Sequence, residues 1–416
     1  MTDFPKLRPV EAFQAQVSGK DVVCVRDATG FVDHIIAVPV PVFYLFPFMD
    51  GNHSIRDIQA EFMRTTGEMV TSEQVAEIIA SLDEHYLLDT ERFAVHRENA
   101  MRDFSNETIR KATHAGLSYE SEPEALKRQL DTYFENIRDR QDSRRLSSRA
   151  HITGLVVPHI DIRAGGPCYA SAFKCLSSAT QSPERVVILG TAHRGLENLF
   201  AATRKDFETP LGISATDQAF LDRLSEVFGD SLFSDEFAHR AEHVIEFQVT
   251  FLQHSFSSRV KIVPILCSFD HSMVDGESFP NESRRIQSFC RALKTCIEEF
   301  PGTCVIASAD LSHLGPLYGD PEGLDEKGIL SLEQGDNEIL QSIESGSASG
   351  FAEAIRKNDN ATRICGFPPI YTMLSVLGDQ RGLVLDYGGT QMDEHGSVVT
   401  FASVVFSPDL KASGDV

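Results

Sequence analysis

The sequence predicts an α/β protein: a mixed sheet flanked by helices from residue 111 onward, preceded by a small domain in which two helices follow a short strand. Three observations predict it. Beyond residue 110, the runs ITGLVVP, RVVILG, VKIVPILC and CVIASAD are short, β-branched and apolar, as in strands buried on both faces. The intervals hold helical patterns such as ATDQAFLDRLSEVF, and strands alternating with helices imply a largely parallel or mixed sheet. At 416 residues the chain also exceeds what one hydrophobic core normally supports, so two domains are expected.

In the first part, GFVDHIIAVPV has a strand pattern. Ser54 opens a helix with Asp57 in a capping-box position, and Ile55, Ile58 and Phe62 recur at helical spacing before Gly67 stops it. Thr71 or Ser72 caps a second helix, whose apolar stripe is Val75, Ile78, Ile79, Leu82 and Tyr86. These elements, FMDGNHSIRDI and VAEIIASLDEHYLL above all, resemble the PqqD-like winged helices that recognise peptides in peptide-modification systems. The expected division is a module over 1–92, a charged helical or extended connector over 93–110, the α/β domain over 111–408 and a tail over 409–416.

Charge narrows the partners. The chain carries a formal net charge of -23, and residues 1–95 hold 7 Lys and Arg against 15 Asp and Glu. That is the wrong sign for binding a phosphate backbone, so no nucleic acid is expected. A peptide or protein docked on the module, or a plain scaffold, remains. The start, MTDFPKLRPVEAF, lacks the basic and apolar regions of a secretory signal. The most apolar window, Ile35 to Met49, is too short for a bilayer and carries three prolines, so no membrane partner is expected. Eight cysteines without a CxxC spacing fit reduced cytoplasmic thiols.

The polar residues at the strand ends carry the chemistry. His159 follows GLVVP, His193 follows VVILGTA, Asp310 and His313 follow VIASA, and Cys365 opens CGFPPI ahead of a helical run. Ligands in open α/β sheets collect beyond the carboxyl ends of strands. One histidine at such an end is usually a hydrogen-bonded structural residue; three in the same placement, from 14 in the chain, favour a shared site.

Taken in order, THAGLSYESEPEALKRQLDTYF, VVPHIDIRAGGPCYASAFK, VVILGTAHRG, FETPLG, EHVIEFQVTFLQHSF, KIVPILC, IASADLSHLG, CGFPPIYTML and VVTFASVVF resemble the Memo family, whose bacterial and archaeal members are called AmmeMemoRadiSam system protein B. The resemblance spans roughly residues 110 to 408. It implies a fold similar to the class III extradiol dioxygenases and a metal site of two histidines and one cysteine. Carried over, the ligands are His159, His193 and Cys365; His313 matches a further pocket histidine, expected to act on bound substrate, and His243 lies in the EHVIE motif. Two imidazoles and a thiolate suit iron or copper, with zinc able to enter during purification. Radical SAM and Amme-type proteins are the implied partners.

Three carboxylates are weighed beside the site. In AEHVIEFQ, Glu242 and Glu246 are spaced to share a helical face, and either could hold a ligand imidazole, while Glu242 could equally serve only the helix start. Asp161 could add negative charge beside the metal or cap a helix beginning near Pro167. Many relatives have a small residue, glycine and an aromatic where Ile160, Asp161 and Ile162 stand. Gly165 and Gly166 are expected to form a turn that lets backbone pass near the site. Two functions follow: a metal-dependent redox enzyme, with or without dioxygen as oxidant, acting on a peptide or small molecule, or a non-catalytic metal-binding adaptor whose cleft docks a peptide.

Overall fold

The computed structural model describes residues 3–32, 34–137 and 150–410. The chain divides into two compact units, Met1–Glu107 and Thr108–Val416. Most of the segment expected as a connector lies in the helix Glu91–Asn106 of the first unit, where Phe93 and Phe104 are buried, while Ile109–Arg110 is a short strand of the second unit. Of the tail expected at 409–416, positions 411–416 lie outside the described residues.

The first unit opens with a hairpin that the helical reading passes over. Strands Val10–Val17 and Lys20–Asp27 pair antiparallel around Ser18 and Gly19, both at positive φ, and Ile36–Pro39 joins on the free side of Lys20–Asp27. Two adjacent left-handed residues give the turn whose twist matches paired strands. The helices then follow the capping rules. Ile55–Thr66 has Ser54 and Asp57 in a reciprocal capping box and ends at Gly67, φ 73°. Ser72–Glu84 is capped by Thr71 in a box with Gln74. Val25, Ile58, Val75, Ile79 and Leu88 close the core between sheet and helices.

The second unit is built on a mixed sheet. Strands Gly154–Val157, Thr303–Ser308, Arg185–Thr191 and Lys261–Cys267 lie side by side in that order, all parallel. Val398–Phe406 runs antiparallel beside Gly154–Val157, and Phe200–Ala202 antiparallel beside Lys261–Cys267. Almost every residue of the four parallel strands is buried, which is why they read as unbroken apolar runs. Two cores result, one on each face.

One sequence expectation is overturned here. Gly165, Gly166 and Pro167 do not form a turn but lie inside the helix Ile162–Ser177, capped by Asp161, whose carboxylate accepts from the Arg163 N–H at 2.9 Å. The helix thus begins five residues before Pro167. The glycines serve packing: a Cβ at Gly165 would stand 2.7 Å from Ile160 Cγ2, and one at Gly166 would stand 2.5 Å from the Tyr133 ring. Close approach outweighs the helix-weakening tendency of glycine. Asp161 is accordingly a helix cap.

Candidate metal centre

The parallel order of the central strands brings their carboxyl ends to one edge. His159 lies just past Gly154–Val157, His193 just past Arg185–Thr191, and Asp310 just past Thr303–Ser308, the strand between them. Cys365 arrives from the other direction, immediately before Gly366, the cap of helix Phe367–Leu377. A Cβ at Gly366 would meet the Asp310 carbonyl at 2.5 Å, so only glycine lets the Cys365 backbone come this close.

The ligand atoms of His159, His193 and Cys365 all lie within 4.8 Å of one another. The Cys365 sulfur is 3.2 Å from His159 Nε2, and the two imidazoles meet edge to face with centroids 4.9 Å apart. Around one ion, donors at about 2.0 to 2.3 Å sit within such a spacing. Two imidazoles and a sulfur form a borderline-to-soft set that suits iron, copper or zinc better than magnesium or calcium. On donor chemistry and spacing, the residues fit an ion of the kind that the resemblance implies.

Each imidazole is oriented from behind. His159 Nδ1 faces the Ser308 carbonyl at 3.0 Å, which makes Nδ1–H the donor and leaves Nε2 with its lone pair toward Cys365. Complete burial holds this imidazole well below its ordinary value, hence neutral. His193 Nδ1 lies 3.1 Å from Glu242 Oε1, and the other oxygen of that carboxylate accepts the His193 main-chain N–H at 3.0 Å. Burial alone would raise the Glu242 carboxyl, but hydrogen bonds from His193 and His243 outweigh it and hold the group well below the carboxylate range. For His193, burial lowers the value, while hydrogen bonds to Cys365 and Glu242 carry it well above the ordinary one. Burial raises the Cys365 thiol, and the neighbouring His193 opposes that rise.

The remaining candidates take distinct places. His243 stacks on His193, centroids 5.1 Å apart and planes 13° apart, with its Nδ1 3.1 Å from Glu242 Oε1. His193, Glu242 and His243 make a second close cluster. Asp310 accepts from the main-chain N–H groups of His159 and Ile160 at 2.9 and 3.1 Å, pinning the segment that presents the ligand; burial pushes its carboxyl up to about 6. His313 sits on the short strand His313–Leu314, Nδ1 3.0 Å from the Leu311 carbonyl and its ring edge-on to Tyr318. Burial lowers it to about 4, and it belongs to neither cluster.

Glu242 and Glu246 part company. Glu242 is both the cap of helix His243–Phe256 and the partner of His193. Glu246 turns away into a buried ion pair with Arg110, and also bonds Tyr119 and the Thr113 and His114 main chain. Arg110, His114, Ser308 and Gln248 are the residues that sequence reasoning passes over. His114 lies with its ring 5.5 Å from His243, and Gln248 Nε2 donates to the Pro158 carbonyl at 2.7 Å and Ser308 Oγ at 2.8 Å, bracing the strand end that carries His159. No local spacing signals these contacts, which join segments far apart in the chain.

Comparison with known proteins places the chain in company. The family described as Memo-like protein matches residues 110–405. A MEMO1 family protein of Aquifex aeolicus is 29% identical over 405 residues, covering 97% of this chain and 99% of its own length, so that likeness includes the first unit. A MEMO1 family protein of Thermus thermophilus is 28% identical over 81% of this chain and 94% of its own. One from Sulfurisphaera tokodaii is 30% identical over 72% and 99%. Among solved structures, an uncharacterized protein from Escherichia coli K12 aligns with 61% of this chain and 99% of its own at 13% identity and a TM-score of 0.38, too distant to bear on function.

Proposed function

The chain belongs to the Memo-like family, and from that premise we propose that His159, His193 and Cys365 hold one redox-active ion, iron or copper, in an enzyme that acts on a small molecule or peptide. One observation carries the reading: both imidazoles have Nδ1 engaged from behind, by Ser308 and Glu242, while the Cys365 sulfur closes the third corner. A site evolved only for packing has no need of two oriented imidazoles around a thiol. The ion, when bound, supplies electron transfer to or from a substrate or dioxygen.

The chain's own residues do the rest. Ser308 and Glu242 fix the tautomers. His313, neutral because burial keeps it near 4, has Nδ1 committed to the Leu311 carbonyl, so Nε2 is the position that can accept a proton from a bound substrate. The test is anaerobic reconstitution with Fe(II) or Cu(I), measurement of metal per chain, and oxygen uptake in the presence of cell extract. One ion per chain with substrate-dependent uptake supports the enzyme. One tightly held ion without turnover under any condition supports the adaptor reading, in which the cleft only docks a peptide.

The first unit is proposed to recruit a protein or peptide, with radical SAM and Amme-type proteins as partners, in the manner of the PqqD-like modules it resembles in sequence. Strand Ile36–Pro39 pairs on one side only among the described strands and supplies an edge for an added strand. No helix among the described residues is long and apolar enough to cross a membrane.

A further inference from the structure

A cavity of about 330 Å³ opens beside Cys365. Its apolar wall includes Phe269, Phe367 and Ile364; its polar wall includes Asp270, His271 and Asn360. Phe269 meets Phe367 edge to face, centroids 6.1 Å apart, and the His271 ring meets Phe367 at 6.2 Å and 84°. His271 Nε2 is 3.0 Å from the Asp359 carboxylate, while its Nδ1 is buried with no partner.

The segment between His271's partner and Cys365 is held under strain. Asp359, Asn360 and Arg363 adopt φ of 53°, 51° and 54°, the left-handed region that side chains disfavour. Arg363 grips Asp320 with two bonds of 3.0 and 2.6 Å, and the Thr362 carbonyl accepts the His313 N–H at 2.7 Å, which keeps the segment in place. Such strain gathers at ligand clamps.

Charge selects the ligand. No lysine or arginine lines this cavity among the described residues, whereas Asp270 is on its wall and Asp359 stands behind His271. Asp270 Oδ1 is engaged by Ser272 at 2.7 Å, but Oδ2 has no partner among the described residues. A phosphate or carboxylate would meet only like charge here. An ammonium group meets a carboxylate of opposite sign beside an apolar wall.

We infer that this cavity is a subsite for a small amine, its apolar stem against Phe269 and Phe367 and its ammonium group at Asp270, beside Cys365. The inference rests on the reading that Cys365 belongs to the metal centre. It is tested by calorimetric titration of the full chain, metal-loaded and metal-stripped, with phenethylamine and with 3-phenylpropionate, which share a ring and differ in the sign of the charge. Phenethylamine is expected to saturate one site per chain and to bind at least about tenfold more tightly than the acid. Asp270→Asn should remove most of that preference and Asp270→Lys should reverse it; Asp270 is exposed, and thermal unfolding verifies that both variants fold. Equal binding of the acid, no titration by either compound, or an unchanged preference in both variants overturns the assignment. Metal content measured in parallel separates the two claims: a chain that holds no ion yet prefers the amine refutes the centre and leaves the subsite standing.

Discussion

A single carboxylate, Glu242, binds His193 twice, through the ring at 3.1 Å and through the main-chain N–H at 3.0 Å, across 49 residues of chain. The ring cannot rotate or change tautomer without losing one bond, and the strand end cannot shift without losing the other. The same side chain caps the helix His243–Phe256.

Glu242→Gln should therefore weaken metal retention by about 10- to 100-fold while leaving the helix in place, since the amide still offers one acceptor oxygen. Equilibrium dialysis against a chelator measures the first effect and far-ultraviolet circular dichroism the second. Retention equal to the parent protein would show that the carboxylate does not support a ligand.

His159→Ala and His313→Ala should separate holding from handling. The first is expected to lose the bound ion and the second to keep it with altered turnover or ligand affinity, read by metal analysis beside oxygen uptake. Equal metal loss in both would make His313 a fourth ligand.

How far these features are legible in the sequence depends on whether a signal is local. The four parallel strands are visible because residues such as Val186, Val187 and Ile188 are buried on both faces and leave an unbroken apolar run. Ser54 and Thr71 are visible because caps act within one turn. The helix beginning at Ile162 is hidden, since Gly-Gly-Pro reads as a breaker unless one knows that Ile160 and Tyr133 crowd against the glycines. Glu246 looks equivalent to Glu242 by spacing alone; what sends it elsewhere is Arg110, 136 residues away. The hairpin around Ser18 and Gly19 is faint because Val10–Val17 is largely exposed and Lys20–Asp27 buries Val23, Cys24 and Val25 in succession, so neither strand shows a clean apolar alternation.

Gly190→Ala should disturb the fold where the strand carrying His193 meets the helix capped by Glu242, because the new methyl would strike the Val244 side chain. A loss of about 1 to 3 kcal/mol is expected in urea unfolding. Val244→Ala in the same chain should recover part of it, and a purely additive double variant would refute the steric account.

Acid should destabilise the second unit through His239, which burial holds near 4 against an ordinary 6.5. The unfolded chain takes up this proton first as the pH falls. The stability that comes from keeping the ring neutral is complete above 6.5 and is lost as the pH falls from 6.5 to 4, amounting to about 2 kcal/mol at pH 5. His239→Gln should make urea midpoints at pH 7 and pH 5 differ less than in the parent chain; an unchanged difference assigns acid sensitivity to other groups.

The sheet order also sets a timetable for synthesis. Gly154–Val157, the strand that ends at His159, is flanked by Thr303–Ser308 and by Val398–Phe406, both made long after it. A ribosome that has released His159 and His193 has not yet made either neighbour, nor the thiol at position 365. The centre cannot be assembled piecemeal on the growing chain, and any ion it holds is acquired by a domain whose synthesis is nearly finished.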